Sequence, residues 1–171
     1  MDCINIVVPM NPCLCGNYGS RTKPCRCTPN QIQRYLGRIS GPLLDRIDMH
    51  IEVESVPLGE LTGLRAEEDS ASIRARVEAA RAVQRSRYKG RRISCNARLD
   101  ARTLNRFCPL TPAARELIDL AGKQMSLSSR AYTRVLKVAR TIADLAGAER
   151  IDGEHVAEAV QYRSLDAKYW G

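Results

Sequence analysis

Ser128-Ser129-Arg130-Ala131-Tyr132-Thr133-Arg134-Val135-Leu136-Lys137-Val138-Ala139-Arg140-Thr141-Ile142-Ala143-Asp144-Leu145-Ala146-Gly147 decides the fold class. Ala131, Val135, Val138, Ile142 and Leu145 recur at the spacing of one helical face. Ser128 supplies an N-cap and Gly147 a stop. The flanks repeat the pattern. Thr111-Pro112 opens a helix that Gly122 is expected to close, and Asp152 caps a last helix through Val156, Ala159 and Val160. Three helices with short connections predict a small bundle.

Further out, the pattern loosens. Residues 85–100 are polar and read as irregular. A helix should begin near Ser70, with Glu67, Glu68 and Asp69 at the positive end of its dipole. Its stripe is Ile73, Val77, Ala80 and Val83, with arginines on the other faces. Residues 57–69 read as a linker and as the domain boundary. Before it, residues 4–8 predict a short buried strand ended by Pro9, and residues 49–53 alternate as a second strand. Thr28-Pro29 starts a short helix to about Leu36, with Gly37 near its end. Residues 11–27 are rich in Gly, Pro and Cys and exclude regular structure. The expected division is residues 1–57, a basic helix and linker over 58–110, and a helical unit over 111–171.

Hydrophobic residues make up 44% and charged residues 27% of the 171, which suits a soluble globular chain; at 5% aromatics the core must be aliphatic and alanine-rich. No apolar run approaches the ~20 residues that span a bilayer. Met1-Asp2-Cys3 lacks the features of a secretory signal, so a cytoplasmic location is the expectation and no membrane partner is expected. The net charge is +8. It is concentrated between Arg74 and Arg106, where eleven Arg or Lys meet only Glu78 and Asp100. This stretch is a candidate footprint for nucleic acid, through Arg81, Arg85, Arg87, Lys89, Arg91 and Arg92; a solvated helix face is the alternative.

Cys13, Cys15, Cys25 and Cys27 fall as C-x-C-x9-C-x-C. Two close pairs of thiols separated by a Gly- and Pro-containing loop match the four-ligand tetrahedron of structural zinc. Arg21, Lys23 and Arg26 would offset the charge of a tetrathiolate. C-x-C is less usual than C-x-x-C, and buried free thiols or one redox pair are the alternatives. Cys3, Cys95 and Cys108 are isolated and read as small core residues. His50 and His155 lie far from any cysteine in sequence and read as packed or surface histidines. No Ser/His/Asp or paired-carboxylate arrangement points to another hydrolase.

Several motifs, taken in order, resemble one family. They are Asn11-Pro12-Cys13-x-Cys15-Gly16, Cys25-Arg26-Cys27-Thr28-Pro29, Gln33-Arg34-Tyr35-Leu36-Gly37-Arg38 and Ser40-Gly41-Pro42-Leu43-Leu44-Asp45-Arg46-Ile47-Asp48. Leu127-Ser128-x-Arg130-Ala131-Tyr132, the run 136–145 and Gln161-Tyr162-Arg163-Ser164-Leu165-Asp166 follow. This order is similar to the last third of a ComM/YifB member of the magnesium-chelatase-like AAA+ ATPases. The resemblance implies a mainly α fold with a few β strands: the end of an α/β AAA+ core followed by a C-terminal helical lid bundle. It implies ATP and Mg²⁺ as cofactors of the full-length parent, a homo-oligomeric ring (a hexamer), and DNA branch migration as the activity. Asn11 would be the sensor-1 residue, Arg46 an arginine finger acting in trans, and Arg130 the sensor-2 residue on the first turn of the lid. From the residues alone, Asn11-Pro12 reads as a turn, Arg46 as a local ion pair with Asp45 or Asp48, and Arg130 as a solvated arginine. Pro9 and Leu14 depart from the family pattern, and no residue indicates a tetrapyrrole site.

No G-x-x-x-x-G-K-[ST] phosphate loop occurs in the 171 residues. The expectation is therefore that this chain alone does not hydrolyse ATP. Two other readings remain open at the level of sequence. One is a non-enzymatic, zinc-stapled basic module that binds nucleic acid or an ATPase partner. The other is a truncated gene product whose N-terminal third is poorly ordered or self-associates, because an unpaired strand is an aggregation hazard.

Overall fold

A computed structural model describes residues 6–53 and 68–163. Its helices are α1 (Pro29–Leu36), α2 (Gly41–Leu44), α3 (Ser70–Arg87), α4 (Ala101–Phe107), α5 (Pro112–Gln124), α6 (Ser129–Leu145) and α7 (Gly153–Gln161), with a 3₁₀ turn over Asn96–Arg98. The mainly helical class is as expected.

The caps follow from the residues expected to make them. Thr28 and Gln31 form a reciprocal capping box on α1, Thr111 accepts from the Ala114 N–H on α5, and Ser128 accepts from the Ala131 N–H on α6. Asp152 caps α7, where His155 closes the box by accepting from the Asp152 N–H at 2.9 Å. That bond accounts for the buried His155 as a structural residue.

α6 is the axis of the core. Its buried face is Ala131, Val135, Leu136, Val138, Ala139 and Ala143, with Ile142 half-buried, whereas Leu145, expected on the same stripe, is exposed. α6 packs on α7, on α3 with the 3₁₀ turn, and on α4; α5 packs on α7. The core crosses residue 110 without a break: Tyr88, Leu99, Leu104, Phe107 and Cys108 join Ile118, Val135, Ile151 and Val156. Leu110 and Ile151 form a single parallel bridge that ties the start of α5 to the start of α7.

Further expectations are corrected. Residues 6–8 and 49–53 form no strand; Ile6, Val7, Val8, Met49, Ile51 and Val53 are exposed. A ladder needs a neighbouring extended edge, and the described residues offer neither segment one. Ile4 and Asn5 lie outside the described residues, as does most of the expected linker at 57–69. Gly122 does not end α5. It lies inside the helix facing Tyr132, whose Cδ2 would lie 4.0 Å from an added Cβ, and the turn comes at Ser126 with φ 49°. In α3 only Ala80 of the predicted stripe is buried, joined by Gln84; Ile73, Val77 and Val83 remain exposed. Cys108 is a core thiol as expected, burial pushing it up to about 11. Cys95 is only half-buried, and Cys3 lies outside the described residues.

Candidate metal centre and exposed arginines

Residues 11–27 fold so that all four cysteine sulfurs lie within 4.8 Å of one another. The Sγ separations are 3.4 Å for Cys13–Cys15, 3.7 Å for Cys13–Cys25 and 3.6 Å for Cys15–Cys25. Zinc bonded at about 2.3 Å to four sulfurs of a regular tetrahedron needs them about 3.8 Å apart. The four thiols fit that requirement with little adjustment. The Gly16 N–H closes a turn on the Cys13 carbonyl at 3.1 Å, and Gly16, at φ 77°, redirects the chain that leaves this first pair of cysteines.

The backbone also turns donors toward the sulfurs. The N–H groups of Arg26 and then Asn17, with the Cys13 thiol, draw Cys15 down to about 6. The N–H of Cys27 pulls Cys25 the same way. It is outweighed by desolvation, by side-chain hydrogen bonds with Cys15 and Cys13 and by the charge on Cys13, so Cys25 is pushed up to about 12. Four thiolates this close cannot all ionise without a cation among them. Backbone N–H groups bonded to sulfur are the usual outer support of a thiolate site.

Asn11, two residues before the first cysteine, is exposed, with its side chain over Gly16. No described contact joins it to Arg46 or Arg130.

Those two arginines are brought into one neighbourhood by the segment 40–48, which is clamped to the helical core. The Ser128 hydroxyl caps α6 and also donates to the Asp45 carboxylate at 2.9 Å. Arg134 Nε donates to the Asp45 carbonyl at 2.7 Å, and its guanidinium pairs with Asp48. Arg163, 1% exposed, donates to the carbonyls of Ile47 at 2.6 Å and Leu44 at 3.3 Å and lies 3.7 Å from the Asp45 carboxylate. The His50 N–H bonds the Tyr162 carbonyl at 2.8 Å. Asp45 and Asp48 are thus engaged by α6 and Arg163. Arg46 is exposed and bonds the Pro42 carbonyl at 3.2 Å, with no ion pair among the described residues. Arg130 is exposed on the first turn of α6.

The basic stretch divides in two. Arg81, Arg85, Lys89, Arg91 and Arg92 are exposed, with Arg85 3.7 Å from Glu78. Arg87 turns inward and pairs with Asp144. Asp144, its side chain inaccessible, also accepts from Arg140 Nε at 3.0 Å and Asn96 Nδ2 at 2.8 Å. Arg140 spends its other donors on the Glu149 and Ala148 carbonyls beyond the helix end. Tyr88 and Gln84 complete the set by bonding the side chain and N–H of Asn96. This buried network holds the end of α3 against α6. Only the i, i+4 spacing of Arg140 and Asp144 hinted at it in the sequence.

Residues 67–163 match the family model described as magnesium chelatase, subunit ChlI C-terminal, and residues 3–61 match that described as magnesium chelatase, subunit ChlI. The chain belongs to this magnesium-chelatase-like family, in its ComM/YifB branch. It is 43% identical over 162 residues to competence protein ComM of Haemophilus influenzae. It is 40% identical over 162 residues to the uncharacterized protein YifB of Salmonella typhimurium and to that of Escherichia coli. These alignments cover 94% of this chain but only 30–31% of each relative, so the chain spans about a third of the length of the curated relatives it matches. Among the described residues no helix is long and apolar enough to cross a membrane.

Proposed function

We propose that this chain supplies the nucleotide-sensing end of a ring-forming ATPase that acts on DNA. In this reading ATP and Mg²⁺ are held by a phosphate-loop portion outside these 171 residues. Arg46 is the arginine finger, reaching a neighbouring subunit's γ-phosphate, where a guanidinium stabilises the charge spread over the transferred phosphoryl group. Arg130 binds phosphate oxygens from the lid as sensor 2, and Asn11 orients the attacking water as sensor 1. The ring is a homo-oligomer, taken as a hexamer, and zinc staples the Cys13, Cys15, Cys25 and Cys27 loop.

The observation that supports this best is the clamp between Asp45 and Ser128. It fixes the segment bearing Arg46 to the helix start bearing Arg130, and leaves both guanidiniums exposed while the neighbouring acids are engaged elsewhere. Such pre-set positioning is what phosphoryl transfer requires of a protein.

The test is a chimera in which this chain replaces the aligned third of the Haemophilus influenzae relative. Mg²⁺-dependent ATP turnover is expected. Arg46→Ala should lower it by about 10³-fold or more with nucleotide binding retained, and Arg130→Ala should weaken turnover as well. Full turnover in both variants would overturn the assignment. The isolated chain is expected to show no turnover.

A further inference from the structure

We propose that the corner formed by the turn after α3 and by α4 binds the phosphodiester backbone of DNA through Arg91 and Arg106, both held over the ring of Phe107. The inference rests on the DNA part of the proposed function and gives it a site.

Between Tyr88 and Cys108 the sequence places Lys89, Arg91, Arg92, Arg98, Arg102 and Arg106 against a single acid, Asp100. The fold brings two of these cations to one point. The guanidinium carbon of Arg91 lies 5.0 Å from the Phe107 ring centroid and that of Arg106 lies 5.5 Å from it. Phe107 is only 8% exposed and stands edge-on to Tyr88, 5.2 Å away, so the platform is anchored in the core. Like charges gathered on one ring repel, and neither guanidinium has an ion pair among the described residues. Arg76, Arg85 and Arg87 pair with Glu68, Glu78 and Asp144, whereas Arg91 and Arg106 share the unpaired state of Arg92 among the described residues and differ from it in being gathered on one ring. Asp100 does not relieve the repulsion. Its carboxylate caps α4, accepting from the Thr103 N–H at 2.9 Å and hydroxyl at 2.7 Å, and the cation beside it is Arg102.

A guanidinium stacked on an aromatic face keeps its charge and its planar fork of donors while losing little further freedom on binding. A pair of such forks suits successive phosphates. Exposed Lys89 and Arg92 extend the field on the same turn. Cations dominate this corner, with the single amide of exposed Asn105 beside Arg106, so the recognition is chiefly of backbone charge.

The experiment measures binding of a fluorescein-labelled DNA duplex to the chain by anisotropy across a salt series. Wild-type chain should bind at low salt. Arg91→Gln with Arg106→Gln should weaken binding and flatten the log–log salt slope by about two. Arg81→Gln with Arg85→Gln, the same loss of charge on α3, should leave most of the slope. In the wild type, the Arg91 and Arg106 Nε–H resonances should shift on adding duplex, a readout independent of any variant's folding. Equal losses in the two double variants, or unmoved resonances, would overturn the site while leaving DNA binding standing. No binding by the wild type at low salt would overturn both.

Discussion

The Ser128 hydroxyl makes two bonds at once: it accepts the Ala131 N–H as the cap of α6 and donates to the Asp45 carboxylate at 2.9 Å. One side chain therefore starts the central helix and clasps the segment that carries Arg46. Arg134, six residues further along, takes the Asp45 carbonyl and Asp48. Arg134→Met should release this segment while sparing the bundle. The substitution removes one charged hydrogen bond and a half-exposed ion pair, together about 1–2 kcal/mol. Hydrogen exchange at residues 43–47 should speed up by about tenfold while α7 amides keep their protection. Unchanged exchange at 43–47 would show that the clasp is held elsewhere.

Asp144 is the residue whose loss should cost most. Its carboxylate is inaccessible and receives Arg87, Arg140 and Asn96. Its hydrogen bond holds the Arg87 guanidinium above its usual range, whereas burial draws that of Arg140 down. Asp144→Ala would leave two cations facing each other in the core, a loss of about 3–5 kcal/mol. The urea midpoint should fall sharply. A midpoint within error of wild type would show that water or rearrangement compensates.

What could be read from the sequence is what local chemistry determines. Thr28, Thr111, Ser128 and Asp152 announced their helices because a cap acts within three residues. The four cysteines announced their cluster because ligand spacing is local. Gly122 misled because a helix interior tolerates an isolated glycine, and this one sits inside α5 where an added Cβ would make only an ordinary 4.0 Å contact with Tyr132. The strands expected at 4–8 and 49–53 were inferred from a β-rich run and from apolar–polar alternation, but pairing depends on a partner edge that neither specifies. Arg87 resembled its exposed neighbours, and nothing within the run of arginines reveals that Asp144, 57 residues away, will claim it. The clasp of Asp45 and Asp48 was hidden for the same reason, since its partners lie 83 to 89 residues on.

Acid should loosen the helix starts first. Asp100 is held below the usual carboxylate range by the Thr103 hydroxyl and N–H, and Asp152 by the Gly153 N–H and the Thr111 hydroxyl. With depressed folded values, the native state binds fewer protons than the unfolded chain. The stabilisation is complete above the unfolded carboxyl value of about 3.9 and is lost as pH falls through the folded values. The melting temperature should therefore be flat near neutrality and decline in the acid range, and Asp100→Asn with Asp152→Asn should shrink that decline. A double variant with the wild-type acid profile would remove the caps from the account.

Metal removal should act locally. The sulfurs converge within a loop whose buried residue, Cys13, stands apart from the core that α6 organises. Chain purified without chelator should carry about one zinc per molecule, and Cys25→Ser should lower that content because three thiolates leave a position open. Stripping the metal frees four thiols that cannot share the space as anions, so the loop should open and residues 11–27 should exchange faster. Asn11, packed over Gly16, should loosen with them. The bundle's melting transition should barely move, since the buried cluster around α6 includes, among the described residues, no residue of the loop. A content under about half an equivalent would remove zinc from the site, and a collapse of the whole bundle on chelation would mean that the loop supports far more of the fold than its contacts account for.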